Sequence, residues 1–327
     1  MALLEIRNLR TSFAAADGPV KIVEDLSFAV EAGEVLAIVG ESGCGKSVTS
    51  LSILRLLGPA AEIGGSIGFD GVDLLKLPES EMRRVRGKGI GTVFQEPMTS
   101  LNPVLTVGRQ ITETLRTHLG MGRAAANARA VDLLRLVGIP APERRLREYP
   151  HQLSGGMRQR VMIAIALACD PKLLIADEPT TALDVTIQAQ ILDLMRDLKS
   201  RLGSAIILIT HDLGVVAEMA QRVIVMYAGR AVEEAGVEQI FARPLHPYTR
   251  GLLAAVPRLG SSVTGVREHL AEIPGQVPSP RARPPGCVFA GRCGLATEIC
   301  RQVMPPIEPM GPGHYVACHH ARESIAA

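Results

Sequence analysis

A glycine-rich segment at residues 40–47 carries the pattern Gly40-x4-Gly45-Lys46-Ser47. Glycines at these positions let backbone N–H groups turn toward phosphate oxygens, while the lysine adds a positive charge and the serine hydroxyl can bind Mg²⁺. An apolar, strand-like run precedes the segment and a helical pattern follows it, so the positive helix N-terminus is expected at the anion. The pattern predicts a nucleotide-binding site formed by Gly40, Ser42, Gly43, Gly45, Lys46, Ser47 and Val48, with a chance glycine-rich turn as the alternative.

Two acidic residues end a second apolar run, "LLIADE". Asp177 is predicted to hold Mg²⁺, directly or through water, and Glu178 to polarise the water that attacks the phosphate. Taken alone, the pair could instead cap the next helix.

Two further polar residues follow strand-like runs, His211 after "AIILIT" and Gln95 in "TVFQEP". His211 is predicted to contact the γ-phosphate and orient the water, and Gln95 to ligate Mg²⁺ or water without adding charge. The alternatives are a hydrogen-bonded structural histidine and a surface glutamine.

The segment "LSGGMRQR", residues 153–160, forms a second phosphate-binding pattern directly before a helix. Ser154 can donate to phosphate, and Gly155 and Gly156 let the backbone approach the anion at the helix N-terminus. One ATP rarely needs two such devices from one chain. The pattern therefore predicts a dimer in which each ATP is held by the loop of one subunit and by this segment of the other.

These motifs lie on strands that alternate with helices, which predicts an α/β fold with a covered, mostly parallel sheet. We expect an ATPase core in residues 1–95 and 151–243, with a helical subdomain in residues 96–150. Residues 244–327 form a C-terminal extension with little periodicity, which includes the proline-rich stretch "EIPGQVPSPRARPPG".

Composition narrows the function classes. The 327 residues carry a net charge of only +2, so no strong field draws in nucleic acid. The N-terminus resembles a strand rather than a signal peptide, and no apolar run is long enough for a membrane helix. A cytoplasmic protein is expected, with any membrane spans supplied by other chains.

Four of the six cysteines lie in the extension: Cys287, Cys293, Cys300 and Cys318. Four thiolates suit either tetrahedral zinc or an iron–sulfur cluster, and the long gaps between them favour the cluster. Free thiols, and a zinc site that uses His314, His319 or His320, are the alternatives. Cys44 is expected to be a small filler and Cys169 a packed core residue.

The phosphate loop, Gln95, "LSGGMRQR", "LLIADEP", "TALD" and His211 occur in an order that resembles ABC-type ATPases. The resemblance implies a head-to-tail dimer with two ATPs at its interface and a role for Gln159 in the signature segment. It implies that Ala182, Leu183 and Asp184 link the two ATP sites. Phe13 resembles the aromatic residue that stacks on adenine, with a strand core residue as the alternative.

The longer segments "QEPMTSLNPVLTVGRQI" and "PLHPYTRGLL" are similar to ATP-binding subunits of bacterial dipeptide and oligopeptide importers, the D-type subunit above all. The resemblance covers essentially the whole chain. It implies an ABC-type P-loop ATPase fold with a mixed sheet core, a helical subdomain that grips permeases and a small cysteine-rich extension. A four-iron four-sulfur cluster is associated with similar tails.

The same resemblance implies partners and a location. The partners are two membrane permease subunits, a related second ATPase subunit and a periplasmic or lipid-anchored substrate-binding protein, with no nucleic acid. The chain is then peripheral, at the cytoplasmic face of the inner membrane. The same motor could serve nickel, glutathione or haem uptake. A soluble ABC ATPase of DNA repair or translation is disfavoured because the chain lacks both a long coiled coil and a second ATPase unit.

Overall fold

The computed structural model describes residues 2–181, 184–256 and 272–322. The strands in these ranges are β1 (Leu4–Phe13), β2 (Val20–Val30), β3 (Val35–Val39), β4 (Ala61–Phe69), β5 (Val72–Asp73), β6 (Ile90–Val93), β7 (Leu173–Asp177), β8 (Ala205–Thr210), β9 (Arg222–Tyr227), β10 (Arg230–Gly236), β11 (Glu308–Gly311) and β12 (His314–Val316). The helices are α1 (Lys46–Ile53), α2 (Glu79–Arg84), α3 (Pro97–Ser100), α4 (Val107–Leu119), α5 (Arg123–Leu136), α6 (Pro142–Arg145), α7 (Gly155–Ala166), α8 (Val185–Leu202), α9 (Leu213–Met219), α10 (Val237–Ala242), α11 (Pro247–Ala254) and α12 (Glu298–Gln302).

The chain divides into two compact units, each assembled from separate stretches of sequence. The first unit comprises Met1–Leu4, Ala29–Val35 and Gly68–Ile209, and the second comprises Glu5–Phe28, Leu36–Ile67 and Thr210–Ala327.

The first unit contains three parallel strands in the order β6, β7, β8. Every residue of β7 and β8 is buried, which explains why both read as continuous apolar runs rather than as alternating patterns. Parallel strands present their carboxyl ends at one edge of the sheet, so residues that follow β6 and β7 can meet there. Gln95 and Glu178 occupy these positions.

Helices α3 to α6 fall within residues 96–150, which were predicted to be a helical subdomain. Thr106 caps α4 by accepting a hydrogen bond from the N–H of Arg109, and Gly120 ends the helix in the left-handed conformation. The buried residues of α5, which are Ala126, Ala130, Leu133 and Leu134, recur at helical spacing and form its packed face. The boundaries of the subdomain stay a prediction.

The second unit contains a mixed sheet with the strand order β11, β12, β10, β9, β3. Strand β3 pairs in parallel with β9, and the remaining pairs are antiparallel. All five residues of β3 are buried, so the strand fixes the start of the loop at residues 40–45. The mixed sheet agrees with the fold class predicted from the sequence.

The C-terminal extension contributes to this sheet, although its sequence shows little periodicity. Strand β12 pairs with β10, where Glu233 lies opposite Val316. Glu233 is fully buried and accepts hydrogen bonds from the N–H groups of Leu245 and His246 and from Nε2 of His314. Burial acts to raise the pKa of Glu233, but these hydrogen bonds outweigh it and lower the pKa. A buried carboxylate therefore ties the extension to the sheet.

Helix α11 begins at a second buried polar group, His246. Its Nδ1 accepts a hydrogen bond from the N–H of Tyr248 at 3.1 Å, and burial lowers the pKa of the imidazole to about 4. His246 is therefore a neutral helix cap at neutral pH. No helix in the three described ranges has both the length and the apolar character to cross a bilayer.

Candidate nucleotide-binding and hydrolysis site

The loop between β3 and α1 has the backbone geometry that the glycine pattern predicts. Gly40, Gly43 and Gly45 all have positive φ, at 152°, 79° and 102°. A Cβ atom on Gly40 would lie 2.2 Å from the carbonyl oxygen of Met226, so only glycine fits there. The N–H of Gly229 donates to the carbonyl of Cys44 at 2.8 Å and fixes the far side of the loop.

Lys46 opens α1 and is only 5% exposed. Its Nζ donates to the carbonyl oxygens of Gly40 at 2.6 Å and of Glu41 at 3.1 Å. The ammonium group is thus held over the loop by two backbone acceptors, which phosphate oxygens can replace.

The other predicted residues of this loop differ in exposure. Ser42 and Gly43 are exposed, whereas Ser47 and Val48 are half-buried at the start of α1. Cys44 is buried, and burial raises the pKa of its thiol, which suits the predicted filler role better than a reactive one.

Glu41 is anchored by residues that the sequence analysis missed. Its N–H donates to the hydroxyl of Tyr248 at 2.9 Å. Its carboxylate accepts two hydrogen bonds from the guanidinium of Arg292, at 2.6 and 3.0 Å. Both partners lie more than 200 residues away along the chain, so no local pattern marks them.

Glu178 lies directly after β7, and its carboxylate contacts a second predicted residue. Oε2 of Glu178 accepts hydrogen bonds from Nε2 of Gln95 at 3.1 Å and from the hydroxyl of Thr181 at 2.8 Å. The structure thus brings together Gln95 and Glu178, which stand 83 positions apart. Thr181 was missed, and its only signal is its place three residues after the acidic pair.

The backbone of Glu178 is left-handed, with φ at 46°, which is uncommon for a residue with a side chain. Its N–H donates to the carbonyl of Ile209 at 2.8 Å, which holds this conformation against β8. The left-handed turn directs the chain away from the strand immediately after Asp177, which is itself buried as the last residue of β7.

His211 and Phe13 occupy the ends of other strands. His211 follows β8 and is exposed, and Phe13 is the half-buried last residue of β1. The roles predicted for them in contacting phosphate and adenine stay predictions.

The segment at residues 153–160 forms the start of α7. Ser154 is the N-cap and accepts a hydrogen bond from the N–H of Met157 at 3.4 Å. A Cβ atom on Gly156 would lie 2.8 Å from the side chain of Ile187, whereas Gly155 faces open space. Gln159 is buried within the helix at 2% exposure.

Asp184 caps α8 by accepting a hydrogen bond from the N–H of Ile187 at 2.9 Å. Ala182 and Leu183, which were predicted to join Asp184 in an inter-site loop, lie outside the described residues.

Helices α4 and α5 and the residues after Pro142 enclose a basic cleft of about 810 Å³. Four exposed arginines and one glutamate contribute to its lining: Arg109, Arg116, Arg123, Arg147 and Glu143. The charged side chains of this lining are therefore mostly positive.

The four cysteines of the extension lie in one small region. The N–H of Cys287 donates to the carbonyl of Cys300 at 2.7 Å. The pKa of the Cys287 thiol is raised to about 11, first by burial and further by the three neighbouring thiols. Cys169, by contrast, is buried in the core of the other unit, as predicted.

The described side chains nevertheless do not form a metal site. No group of three or more His, Cys, Asp or Glu side chains in residues 2–181, 184–256 and 272–322 is arranged to hold a metal ion. His314 binds Glu233, His319 Nε2 contacts the carbonyl of Val303, and His320 Nε2 contacts the hydroxyl of Thr297. The arrangement thus supports neither the iron–sulfur cluster nor the zinc alternative.

Two family models match the chain. The ABC transporter model matches residues 23–181, and the model of the oligopeptide/dipeptide transporter C-terminal region matches residues 232–300. The chain is 57% identical to a probable peptide ABC transporter ATP-binding protein of Sinorhizobium fredii, over 99% of this chain and 96% of that protein. It is 50% identical to the oligopeptide transport ATP-binding protein OppD of Salmonella typhimurium, over 99% and 95% of the two chains.

Solved structures share the fold. A dimeric ATP-binding cassette, determined in a post-hydrolysis state with ADP and phosphate, matches with a TM-score of 0.65 and 29% identity. The match covers 72% of this chain and 98% of that one. The predicted ABC-type ATPase fold is therefore confirmed, although the match does not specifically show the cysteine-rich extension.

The fold and the matching family model define an ABC-type ATP-binding protein. More narrowly, the chain belongs to the family of ATP-binding proteins of peptide-importing ABC transporters. The family predicted from the sequence is confirmed.

Proposed function

We propose that the chain is the ATP-hydrolysing subunit of a bacterial importer of dipeptides or oligopeptides. The observation that carries the proposal is the carboxylate of Glu178, held by Gln95 and Thr181 at the end of a buried strand. A carboxylate positioned in this way can accept a proton from an attacking water. Membership of the peptide-import family supplies the substrate class.

The predicted residues of the ATP site have separate roles in this proposal. The backbone of residues 40–45 and the ammonium of Lys46 bind the phosphates, and Phe13 stacks on adenine. Ser47, Gln95 and Asp177 are the side chains that would hold Mg²⁺, which when bound neutralises charge developing on the phosphates. Glu178 polarises the attacking water, and His211 contacts the γ-phosphate.

The second half of each ATP site comes from another ATPase subunit in this proposal. The signature segment of this chain binds the partner's ATP; the residues assigned to it are Ser154, Gly155, Gly156 and Gln159. Ala182, Leu183 and Asp184 link the two ATP sites. ATP binding closes the dimer, and hydrolysis reopens it.

The remaining partners are two membrane permeases and a periplasmic or lipid-anchored substrate-binding protein. Residues 96–150 grip the permeases, and the basic cleft supports this because its arginines can bind an acidic segment. The chain then lies at the cytoplasmic face of the membrane without crossing it.

The test is ATP turnover by the complex rebuilt in lipid with its permeases, partner ATPase and binding protein. Dipeptides, longer peptides and nickel chelates are added in turn. We expect peptides to stimulate turnover and nickel chelates to leave it unchanged. The matched control is the same complex carrying Glu178→Gln in this chain, which separates its turnover from that of the partner.

Each other outcome rejects a defined part of the proposal. Stimulation by a nickel chelate, glutathione or haem alone would keep the motor and reject the peptide cargo. ATP turnover by a chain that assembles with no permease would favour the alternative of a soluble ABC ATPase.

For the four cysteines we propose metal binding, with a four-iron four-sulfur cluster as the first choice and zinc as the alternative. The proposal rests on the sequence, in which Cys287, Cys293, Cys300 and Cys318 supply four thiols within one short segment of the extension. Anaerobic purification followed by iron, zinc and sulfide assays is expected to give iron and sulfide in equal amounts. Stoichiometric zinc in a colourless protein would reject the cluster, and absence of both metals would reject metal binding.

A further inference from the structure

Arg292 of the C-terminal extension contacts the phosphate loop directly. Its side chain is only 7% exposed, and its two terminal nitrogens donate to the two carboxylate oxygens of Glu41 at 2.6 and 3.0 Å. A parallel pair of charge-assisted bonds of this kind fixes both position and orientation. Glu41 is the second residue of the loop that begins at Gly40.

The guanidinium of Arg292 is itself held rigidly by the extension and the sheet. Its Nε donates to the carbonyl of Pro274 at 2.8 Å, and one terminal nitrogen also donates to the carbonyl of Ile273 at 3.0 Å. The guanidinium lies 5.7 Å from the centre of the Tyr227 ring. Arg292 is thus a fixed support rather than a mobile surface side chain.

Glu41 is held from three sides as a result. Its N–H donates to the hydroxyl of Tyr248, its carbonyl accepts from Lys46, and its carboxylate accepts from Arg292. The carboxylate side chain is 28% exposed, so without Arg292 a partly buried negative charge would remain in a loop that binds an anion.

We propose that Arg292 is a positioning residue for ATP binding, which acts by neutralising Glu41 and by holding the phosphate loop in its binding conformation. This inference rests on the proposed function, since it concerns the same ATP site. It assigns the C-terminal extension a direct part in nucleotide affinity, in addition to any part in assembly or metal binding.

A purely structural role makes a different prediction. Arg283 is another arginine of the extension, with a side chain 12% exposed, and it binds Glu24 and the carbonyl of Ile22 on β2. If these arginines only hold the extension in place, replacing either one should lower the stability of the fold. The two variants should then bind ATP with the same affinity. If Arg292 acts through Glu41, only its replacement should weaken ATP binding.

The experiment measures two quantities on the full-length chain: the equilibrium affinity for ATP and the midpoint of thermal unfolding. The proteins compared are wild type, Arg292→Ala, Arg292→Lys, Glu41→Gln, Arg283→Ala and the double variant Arg292→Ala with Glu41→Gln. We expect Arg292→Ala to weaken ATP binding about tenfold, which corresponds to the loss of charge-assisted hydrogen bonds. Arg292→Lys should recover part of the affinity, because an ammonium keeps the charge without the fork. Arg283→Ala should bind ATP as wild type does.

The double variant tests whether the effect passes through Glu41. With the charge of residue 41 removed, Arg292→Ala should change ATP affinity by less than about twofold. An Arg292→Ala variant that binds ATP like wild type, an equal loss in Arg283→Ala, or an undiminished loss in the Glu41→Gln background would each overturn the inference. Failure of wild type itself to bind ATP would overturn the proposed function instead.

Discussion

Glu178→Gln is expected to bind ATP normally and to reduce turnover by at least about 100-fold, the usual contribution of a general base. The substitution preserves the shape of the side chain, and its amide oxygen can still accept a hydrogen bond from Thr181 or Gln95. It removes the negative charge that draws a proton from water. ATP should therefore stay bound and trap the closed dimer.

Single-turnover hydrolysis and size-exclusion chromatography with ATP measure both consequences. The control is Asp193→Asn, which removes an exposed carboxylate that pairs with Arg196 on α8. This control should retain wild-type turnover. Rapid hydrolysis in Glu178→Gln would show that another group activates the water, and loss of ATP binding would show that Glu178 is needed for the ground state.

Lys46→Ala is expected to weaken ATP binding by about one to two orders of magnitude, because it removes charge-assisted hydrogen bonds worth about 1.5–3 kcal/mol. The ammonium already lies over the loop, so ATP binding exchanges two carbonyl acceptors for phosphate oxygens. Alanine removes the charge and leaves the carbonyls of Gly40 and Glu41 without this donor. Calorimetric titration with ATP, with and without Mg²⁺, measures the loss.

A thermal melt of Lys46→Ala separates lost binding from lost folding, because the side chain is buried. Lys172→Ala is the matched control, since it removes an exposed ammonium that binds Asp70. The control should leave ATP affinity unchanged. ATP binding by Lys46→Ala at wild-type affinity would reject the phosphate-loop assignment.

Local patterns in the sequence predicted the parts of the fold that depend on local physics. The apolar runs became β3, β7 and β8, because parallel strands that are buried on both faces need no alternation. The glycines of the phosphate loop were predictable for a similar reason, since a positive φ and a close carbonyl exclude a side chain. Gln95 and Glu178 were each assigned to the site from the sequence, but their direct contact depends on the pairing of β6 with β7 in the structure.

Other features depend on contacts that no local pattern encodes. The left-handed backbone of Glu178 is held by the carbonyl of Ile209, and the position of Glu41 is set by Tyr248 and Arg292. The short strands β11 and β12 show little periodicity in their sequence. They are defined by pairing, since β12 pairs with β10 and β11 pairs with β12. Such contacts require the tertiary structure.

The aromatic cluster beside the phosphate loop also gives the protein a built-in optical signal. The chain has no tryptophan and only four tyrosines, so tyrosine is its dominant ultraviolet fluorophore. Tyr227 and Tyr248 are fully buried, 4.7 Å apart between ring centres, and each packs against Phe289 of the extension. The Tyr248 hydroxyl accepts from the N–H of Glu41 and the Tyr227 hydroxyl contacts Arg292, so two native fluorophores lie in direct contact with the loop and with its support.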